Sequence, residues 1–433
     1  MSIRTRFAPS PTGSVHIGNM RVAIYNWLFA RHAGGQFLLR VEDTDRERST
    51  PEAVQAVLDA MSWLELDTDE PPVYQSKRRN AHTEAADMLL SKGLAYKEDK
   101  GGTGRGEAVV FRMPGTPMTF HDEIKGVMRK ESKDLKDFVI VRSDGSPVFH
   151  LANVVDDIFM NITHVIRGDD HVENTFRHIA LYEALGAPVP KFAHLPMIVN
   201  AQGKPYSKRD GDAFVGDFRE KGFLPEALFN YLVLLGWAPG DDREVLSREE
   251  IVQLFTLDRV QSSAAQFDLK KFDWMNGEYM KERPLKEHRE RYISAIPSAD
   301  DDPAYLDTVI GCMQERVKKW SDISGMAGFF FTEDYAYDEA AVNKRLRKEG
   351  ALDLLKALHD RYATLDTFNA ETTETALREL AESRGVKPAD LIHPVRIAVS
   401  GIPHGPSLFH MLDVLGKERV ARRMQRTLEQ LAD

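Results

Sequence analysis

Sulfhydryl chemistry is almost absent from this chain: Cys312 is the only cysteine in 433 residues. An intramolecular disulfide framework and a multi-cysteine zinc site are therefore both excluded. Long apolar runs are missing too. None approaches the ~20 residues of a membrane span, and Arg4 and Arg6 are not followed by a signal-type apolar stretch. These absences lead us to expect a cytoplasmic protein with no membrane partner. Nor is there an excess of positive charge. The formal net charge is −10, which opposes non-specific nucleic-acid binding by the whole surface but leaves open a polyanion held on local basic patches. Internal repeats and long low-complexity tracts are not found.

What is present is too long for one core, so two to four domains are expected. Residues 3–8 read as a short strand, and 9–17 as a loop. From Gly18 to about Ala33, apolar residues fall at helix spacing (Met20, Ala23, Ile24, Trp27, Leu28, Ala30), and Gly34-Gly35 is a stop signal. "FLLRVEDTD" comes next as a buried strand with acids at its exit. This is the beginning of a doubly wound parallel sheet. A second such unit comes later: "HVIRGDDH" as a strand, 173–185 as a helix, "FAHLPMIVN" as a strand. Between them, 80–150 reads as an insertion, with a flexible "DKGGTGRGE" and a hairpin signal at Asp144-Gly145 between "DFVIVRS" and "SPVFHLANVV". From about 210 helices dominate. "LPEALFNYLVLLGW" reads as amphipathic, and 303–433 as mostly helical. Basic clusters occur there at Arg316, Lys318 and Lys319; at Lys344, Arg345, Arg347 and Lys348; and at Lys417, Arg419, Arg422, Arg423 and Arg426.

Two loops carry chemistry. "PSPTGSVHIGN", 9–19, sits at a strand exit and leads into a helix N-terminus, which favours anions. Gly13 and Gly18 permit close backbone approach, Pro9 and Pro11 stiffen the loop, and His16 can donate to a phosphate oxygen. Alone, such a loop is usually a tight surface turn. "GKPYSKRD", 203–210, is a basic loop at the exit of the second half's last strand, with Lys204, Lys208 and Arg209 around Ser207. Alone, it is usually a solvated turn. Together, the two can hold a nucleoside triphosphate from both sides.

The ordered set of motifs resembles a bacterial-type glutamyl-tRNA synthetase, a class I aminoacyl-tRNA synthetase. "RFAPSPTGSVHIGN" is similar to the family's HIGH signature, and "PYSKR" stands where KMSKS belongs. "LLRVEDTD", "HLANVVDD", "THVIRGDDH", "GFLPEALFNYLVLLGW", "FDLKKFDWMNGEY", "HPVRIAVSG" and "GPSLFHMLDVLGKERV" resemble the family in the same order, so the likeness runs nearly end to end. It implies an α/β fold: a split Rossmann-like parallel-sheet catalytic domain at 1–79 and 151–210, the latter ending in the KMSKS-like loop. It further implies an inserted α+β acceptor-binding domain at 80–150. A helical stem-contact domain at 211–310 and an all-helical anticodon-binding domain at 311–433 complete it.

The same resemblance implies the reaction. Glutamate and ATP, accompanied by Mg²⁺, give glutamyl-adenylate, and the glutamyl group passes to the terminal ribose of tRNA(Glu). His16 and Lys208 are the expected catalytic residues. Ser10, His16, Gly18, Asn19, Ser207, Lys208 and Arg209 are expected around ATP. Arg6, Ala8, Ser10, Glu42, Phe149, Asn153 and Arg167 are expected around L-glutamate, arginine forks suiting its carboxylates and Glu42 its ammonium. Arg316, Lys318, Lys319, Arg345 and Arg347 are candidates for tRNA contact, and a monomer is expected.

The chain departs from the family at several places. Asn19 ends the first signature in place of His, as glutamyl-type members often do. Pro205-Tyr206 replaces a small or branched apolar pair, and Phe149 replaces a tyrosine. Asp169-Asp170 replaces Glu-Asp. "YKEDKGGTGRGEAVVF" has no Cys or His, so no zinc is expected in the insertion. The truncated paralogue that glutamylates a modified tRNA nucleoside is an alternative, opposed by the long helical C-terminal part and the missing cysteines. Glutaminyl and archaeal-type enzymes end in β-barrels, which the helical pattern opposes. A non-catalytic tRNA-binding protein of the same fold would be expected to lose His16, Lys208 or the arginine pair.

Overall fold

The computed structural model describes residues 2–44, 49–99 and 106–431. Most of the stretch expected to be flexible, and Asp45 of the second strand's acidic exit, lie outside the described residues. The chain forms two compact units, one of Met1–Glu220 with Pro225–Phe272, the other of Lys221–Leu224 with Asp273–Asp433.

In the first unit, β1 (Arg4–Phe7) is followed by α1 (Ile17–His32) and β2 (Gln36–Val41), as the spacing predicts. Both strands are nearly continuously buried, the signature of a parallel sheet covered on both faces. At the turn after α1, a Cβ on Gly35 would lie 2.3 Å from the Ile3 carbonyl oxygen, so only glycine fits there. Next come α2 (Pro51–Trp63), β3 (Val73–Tyr74), α3 (Arg79–Ser91), β4 (Ala95–Glu98) and β5 (Ala108–Phe111). They lead into β6 (Met118–Asp122), β7 (Gly126–Lys130), β8 (Phe138–Val141), α4 (Phe149–Phe159) and β9 (His164–Gly168). The unit continues with α5 (Val172–Leu185), β10 (Lys191–Leu195), β11 (Ile198–Val199), α6 (Val215–Glu220), α7 (Pro225–Leu234), α8 (Arg248–Leu254) and β12 (Ala265–Gln266).

Strands β1, β2 and β3 pair in parallel, and β10 pairs in parallel with β9 and with β6. Thr163 N donates to the Arg4 carbonyl (3.0 Å), which brings the start of β9 beside the start of β1. The carboxyl ends of β1, β2, β9 and β10 therefore open on one edge, where an α/β sheet binds its ligands. β4, β5 and β8 form a separate antiparallel sheet, whereas β6 carries the hairpin partner β7 on the edge of the β9–β10 sheet. The ladder thus crosses the sequence boundary at 80–150. The core does likewise: Leu38 of β2, Leu89 of α3, Phe111 of β5, Leu151 of α4 and Phe192 of β10 belong to one buried cluster.

Two local expectations change. Asp144-Gly145 does turn, with Gly145 at φ 77°, but the returning arm lasts one bridge, Val141 to Pro147, before α4 begins. Leu151, Val154, Val155 and Ile158 repeat at helix spacing and pack into the core cluster, so tertiary burial overrides the hairpin. Helix α7 is not amphipathic. All seven residues from Ala227 to Val233 are buried, as in a helix surrounded by protein.

The second unit is helical, including Pro303–Met313, Ala351–Ala363, Ala370–Arg384, Ala389–Ser400 and Lys417–Gln430. The last of these carries a basic cluster from which the structure turns one member, Arg423, inward. Arg423 is 1% exposed. It donates to the carbonyls of Val399 (2.7 Å), Phe329 (2.9 Å) and Thr332 (2.8 Å) and pairs with Glu333 (3.1 Å). Arg419 and Arg422 close on the same Glu333 carboxylate.

Candidate active site

Helix α1 begins immediately after His16, and His16 is its N-cap. The imidazole Nδ1 accepts from Gly18 N (3.0 Å), so the hydrogen sits on Nε2, which donates to the Tyr206 carbonyl (3.1 Å). Burial pushes the His16 pKa down, partly countered by the Tyr206 carbonyl, so the ring is neutral. The first turn of α1 contains no acid, which leaves the positive helix end free for an anion. Gly13 has φ 120°, a conformation few side chains accept. A Cβ on Gly18 would stand 3.2 Å from His16 Nδ1; the glycine makes space for the capping ring itself.

The basic loop meets α1 through that same histidine, and His16 also bridges Phe214 in antiparallel fashion. Its turn is tied by Asp210, whose carboxylate accepts from Ser207 N and Oγ (both 2.9 Å) and from Asn200 Nδ2 (2.7 Å). Lys208 and Arg209 are exposed, and neither forms an ion pair among the described residues. Lys208 Nζ lies 5.8 Å over the Phe214 ring.

At the sheet's carboxyl edge, Arg6 from β1 and Arg40 from β2 share the buried Asp157 carboxylate of α4. Arg6 Nε donates to Oδ1 (3.0 Å), and Arg40 Nη1 closes on the same oxygen. Burial alone would raise the Asp157 pKa; Arg40 and Arg6 outweigh it and hold the pKa below the usual carboxylate range. Glu42 Oε1 accepts from Arg40 Nη2 (3.0 Å) and Asn153 Nδ2 (2.8 Å). Burial lifts the Glu42 pKa above its ordinary value despite Arg40.

Arg167, at the end of β9, is 7% exposed. Its partners are all uncharged acceptors: Thr175 Oγ1 (2.7 Å), His194 Nε2 (3.2 Å), His178 Nδ1 (3.3 Å) and the His171 carbonyl (3.3 Å). Burial first, and then Arg6, pull its pKa down to about 10.

A cleft of about 510 Å³ opens at this edge. Its wall includes Arg6, Ala8, Ser10, His16, Gly18, Asn19, Glu42, Phe149, Asn153 and Arg167. Ser207, Lys208 and Arg209 are not in its wall, although Pro205 and Tyr206 beside them are. Arg40 and Asp157 were not anticipated, nor were the cleft residues Arg21, Asp170 and His171. Signals for two of them exist. Arg40 lies two residues before Glu42, on the same strand face, and Asp157 lies four after Asn153, on the same helix face. In the second unit Arg316 and Arg347 are exposed, whereas Lys319 Nζ already meets Asp322 (3.5 Å) and Asp273 (3.7 Å). Among the described residues, no group of three or more His, Cys, Asp or Glu side chains is disposed to hold a metal ion.

Comparison with known proteins shows what the whole chain is similar to. The family "tRNA synthetases class I (E and Q), catalytic domain" matches residues 2–103 and 98–274, and "Anticodon binding domain" matches 283–428. A glutamate-tRNA ligase of Methylacidiphilum infernorum is 41% identical, with 98% of each chain covered. Glutamate-tRNA ligase 1 of Caldanaerobacter subterraneus is 38% identical over 99% of this chain and 98% of its own. The crystal structure of a glutamate tRNA ligase from Elizabethkingia meningosepticum, in complex with its amino acid, superposes with a TM-score of 0.81 at 30% identity, covering all of both chains.

Proposed function

The chain belongs to the glutamate-tRNA ligases, class I tRNA synthetases of the E and Q type, and on that premise we propose that its β-edge cleft holds ATP and L-glutamate against each other. It is a ligase that joins glutamate to tRNA. ATP enters with its Mg²⁺ as substrate. A glutamate α-carboxylate oxygen attacks the α-phosphorus in line, pyrophosphate leaves, and glutamyl-adenylate forms. A terminal ribose hydroxyl of tRNA(Glu) then attacks the acyl carbon, and AMP leaves. No protein nucleophile is required, so catalysis is positioning and charge stabilisation.

Arg6 and Arg167 take the two glutamate carboxylates, and Glu42, steadied by Arg40 and Asn153, takes the ammonium. Phe149, Ala8 and Ser10 complete that pocket. The phosphates lie toward the α1 N-terminus with Gly18 and Asn19. His16 reaches a phosphate only by releasing the Tyr206 carbonyl, so nucleotide binding moves the basic loop and brings Ser207, Lys208 and Arg209 onto the triphosphate. The observation that carries the reading is Arg167, a buried guanidinium on the cleft wall held by uncharged acceptors.

Pyrophosphate exchange with glutamate or glutamine, each with and without tRNA, tests it. Exchange is expected with glutamate in the presence of tRNA(Glu); its absence there overturns the reading. Lys208→Ala is expected to lower kcat for adenylate formation by roughly 10²–10³-fold, the usual loss of one charge-stabilising group. The melting temperature should not change, because Lys208 is exposed. An unchanged kcat would remove Lys208 from the mechanism.

A further inference from the structure

We infer that Asp122 and His194 are positioning residues for Arg167, holding its guanidinium by a lone pair so that a carboxylate of bound glutamate becomes its counter-charge. The inference rests on the proposed role of Arg167 in glutamate binding. A guanidinium only donates hydrogen bonds. An imidazole beside it must therefore present a bare nitrogen. His194 Nε2 lies 3.2 Å from Arg167 Nε, and its other nitrogen, Nδ1, lies 2.5 Å from Asp122 Oδ2. The carboxylate can only accept, so it fixes the hydrogen on Nδ1 and leaves Nε2 free to accept from Arg167.

The arrangement is built rather than incidental. Asp122 and His194 are fully enclosed. Asp122 Oδ1 is separately occupied by the backbone N–H groups of Ile124 (3.0 Å), Lys125 (2.9 Å) and His194 (3.3 Å), which pin the carboxylate in place. Thr175 Oγ1 links the two ends, lying 2.7 Å from Arg167 Nη2 and 3.1 Å from His194 Nε2. Arg6 is held differently: its fork rests on the Asp157 carboxylate. A carboxylate placed directly against Arg167 would compete with the substrate; an imidazole interposed between Asp122 and Arg167 orients the guanidinium without neutralising it at contact distance.

Asp122→Asn is the sharpest test. It keeps Oδ1 for the three backbone donors and replaces Oδ2 by an amide that donates, which turns the imidazole hydrogen toward Arg167. The KM for glutamate is expected to rise roughly ten- to hundredfold, the range for a lost hydrogen bond to a charged group. The KM for ATP and kcat should stay within about twofold. His194→Gln supplies an acceptor where Nε2 stood and should retain a near-normal KM. In that background Asp122→Asn should have little further effect, because no tautomer remains to be set. Equal effects of Asp122→Asn in both backgrounds, or an unchanged KM, overturn the inference. Should Asp122→Asn fail to fold, His194→Leu against His194→Gln decides, since only leucine removes the acceptor; equal KM values for the two overturn it. Arg167→Met separates the two levels. If it leaves the glutamate KM unchanged, the role of Arg167 itself is wrong; if it raises the KM while Asp122→Asn does not, only the positioning pair fails.

Discussion

Arg423→Met should destabilise the second unit strongly while leaving tRNA phosphate contacts intact. The wild-type guanidinium satisfies the carbonyls of Val399, Phe329 and Thr332 at 2.7–2.9 Å. Methionine fills most of the volume but donates nothing. Two enclosed carbonyls and the half-buried one of Thr332 left without partners, at about 1 kcal/mol or more for each enclosed one, give a loss of roughly 2–4 kcal/mol, overlapping the range found when one member of a buried ion pair is removed. Glu333 adds little, because Arg419 (3.1 Å) and Arg422 (3.4 Å) still hold it. Arg423→Lys should fall between, since one ammonium cannot span the three carbonyls. Urea unfolding followed by circular dichroism measures the loss, and filter binding of tRNA over a salt series measures the contacts. A stability change under about 1 kcal/mol, together with a reduced salt dependence of tRNA binding, would refute the reasoning and make Arg423 an RNA ligand.

Glu42 should make glutamate binding acid-sensitive. Its folded pKa is raised by burial, so protonation begins above the ordinary carboxylate range, and the glutamate KM should climb as pH falls toward that raised value. The sign for folding is opposite. A carboxyl with a raised native pKa contributes more stability as pH falls through it, so affinity should fail while Glu42 itself favours the fold; a glutamate KM flat down to the ordinary carboxylate range would contradict this. Gly35→Ala, whose Cβ would meet the Ile3 carbonyl oxygen at 2.3 Å, should cost about 2 kcal/mol or more; an unchanged melting temperature would show that the turn yields freely. Arg316→Gln and Arg347→Gln, at exposed positions, should each reduce the slope of log affinity for tRNA against log salt by about 0.7–0.9, and a slope equal to wild type would place them off the phosphate path.

The strand, loop and helix that begin the chain were legible because their signals are local: helix spacing from Met20 to Ala30, a double glycine after it, prolines and glycines before it. Turn chemistry at Asp144-Gly145 was equally local and correctly gave a turn. A turn does not dictate the element after it, however, and the apolar repeat from Leu151 to Ile158 made the next segment a helix. The pocket residues were a different problem. Arg6, Glu42, Asn153 and Arg167 are separated by long stretches of chain, and only the likeness to a known family joined them on the sequence. Arg40 and Asp157, which hold Glu42 and Arg6, carried period-two and period-four signals that went unused. Arg423 was illegible in principle. An arginine-rich helix looks solvated until its acceptors, two of them some ninety residues upstream, are folded against it.

The strand carrying Asp122 limits how this chain can be recombined. Residues 80–150 look like a cassette that could be exchanged between relatives or trimmed away to leave a minimal activating enzyme. Yet β6 pairs with β10, Phe111 and Ile140 share a core with Leu38 and Phe192, and the Asp122 carboxylate is tied to His194 on a catalytic strand. A chimera cut at the apparent borders would carry away a supporting wall of the β9–β10 sheet along with the separate antiparallel sheet. Workable grafts would have to retain β6 and replace only the parts that project beyond it, which makes β6, rather than the borders of the insertion, the practical seam of the molecule.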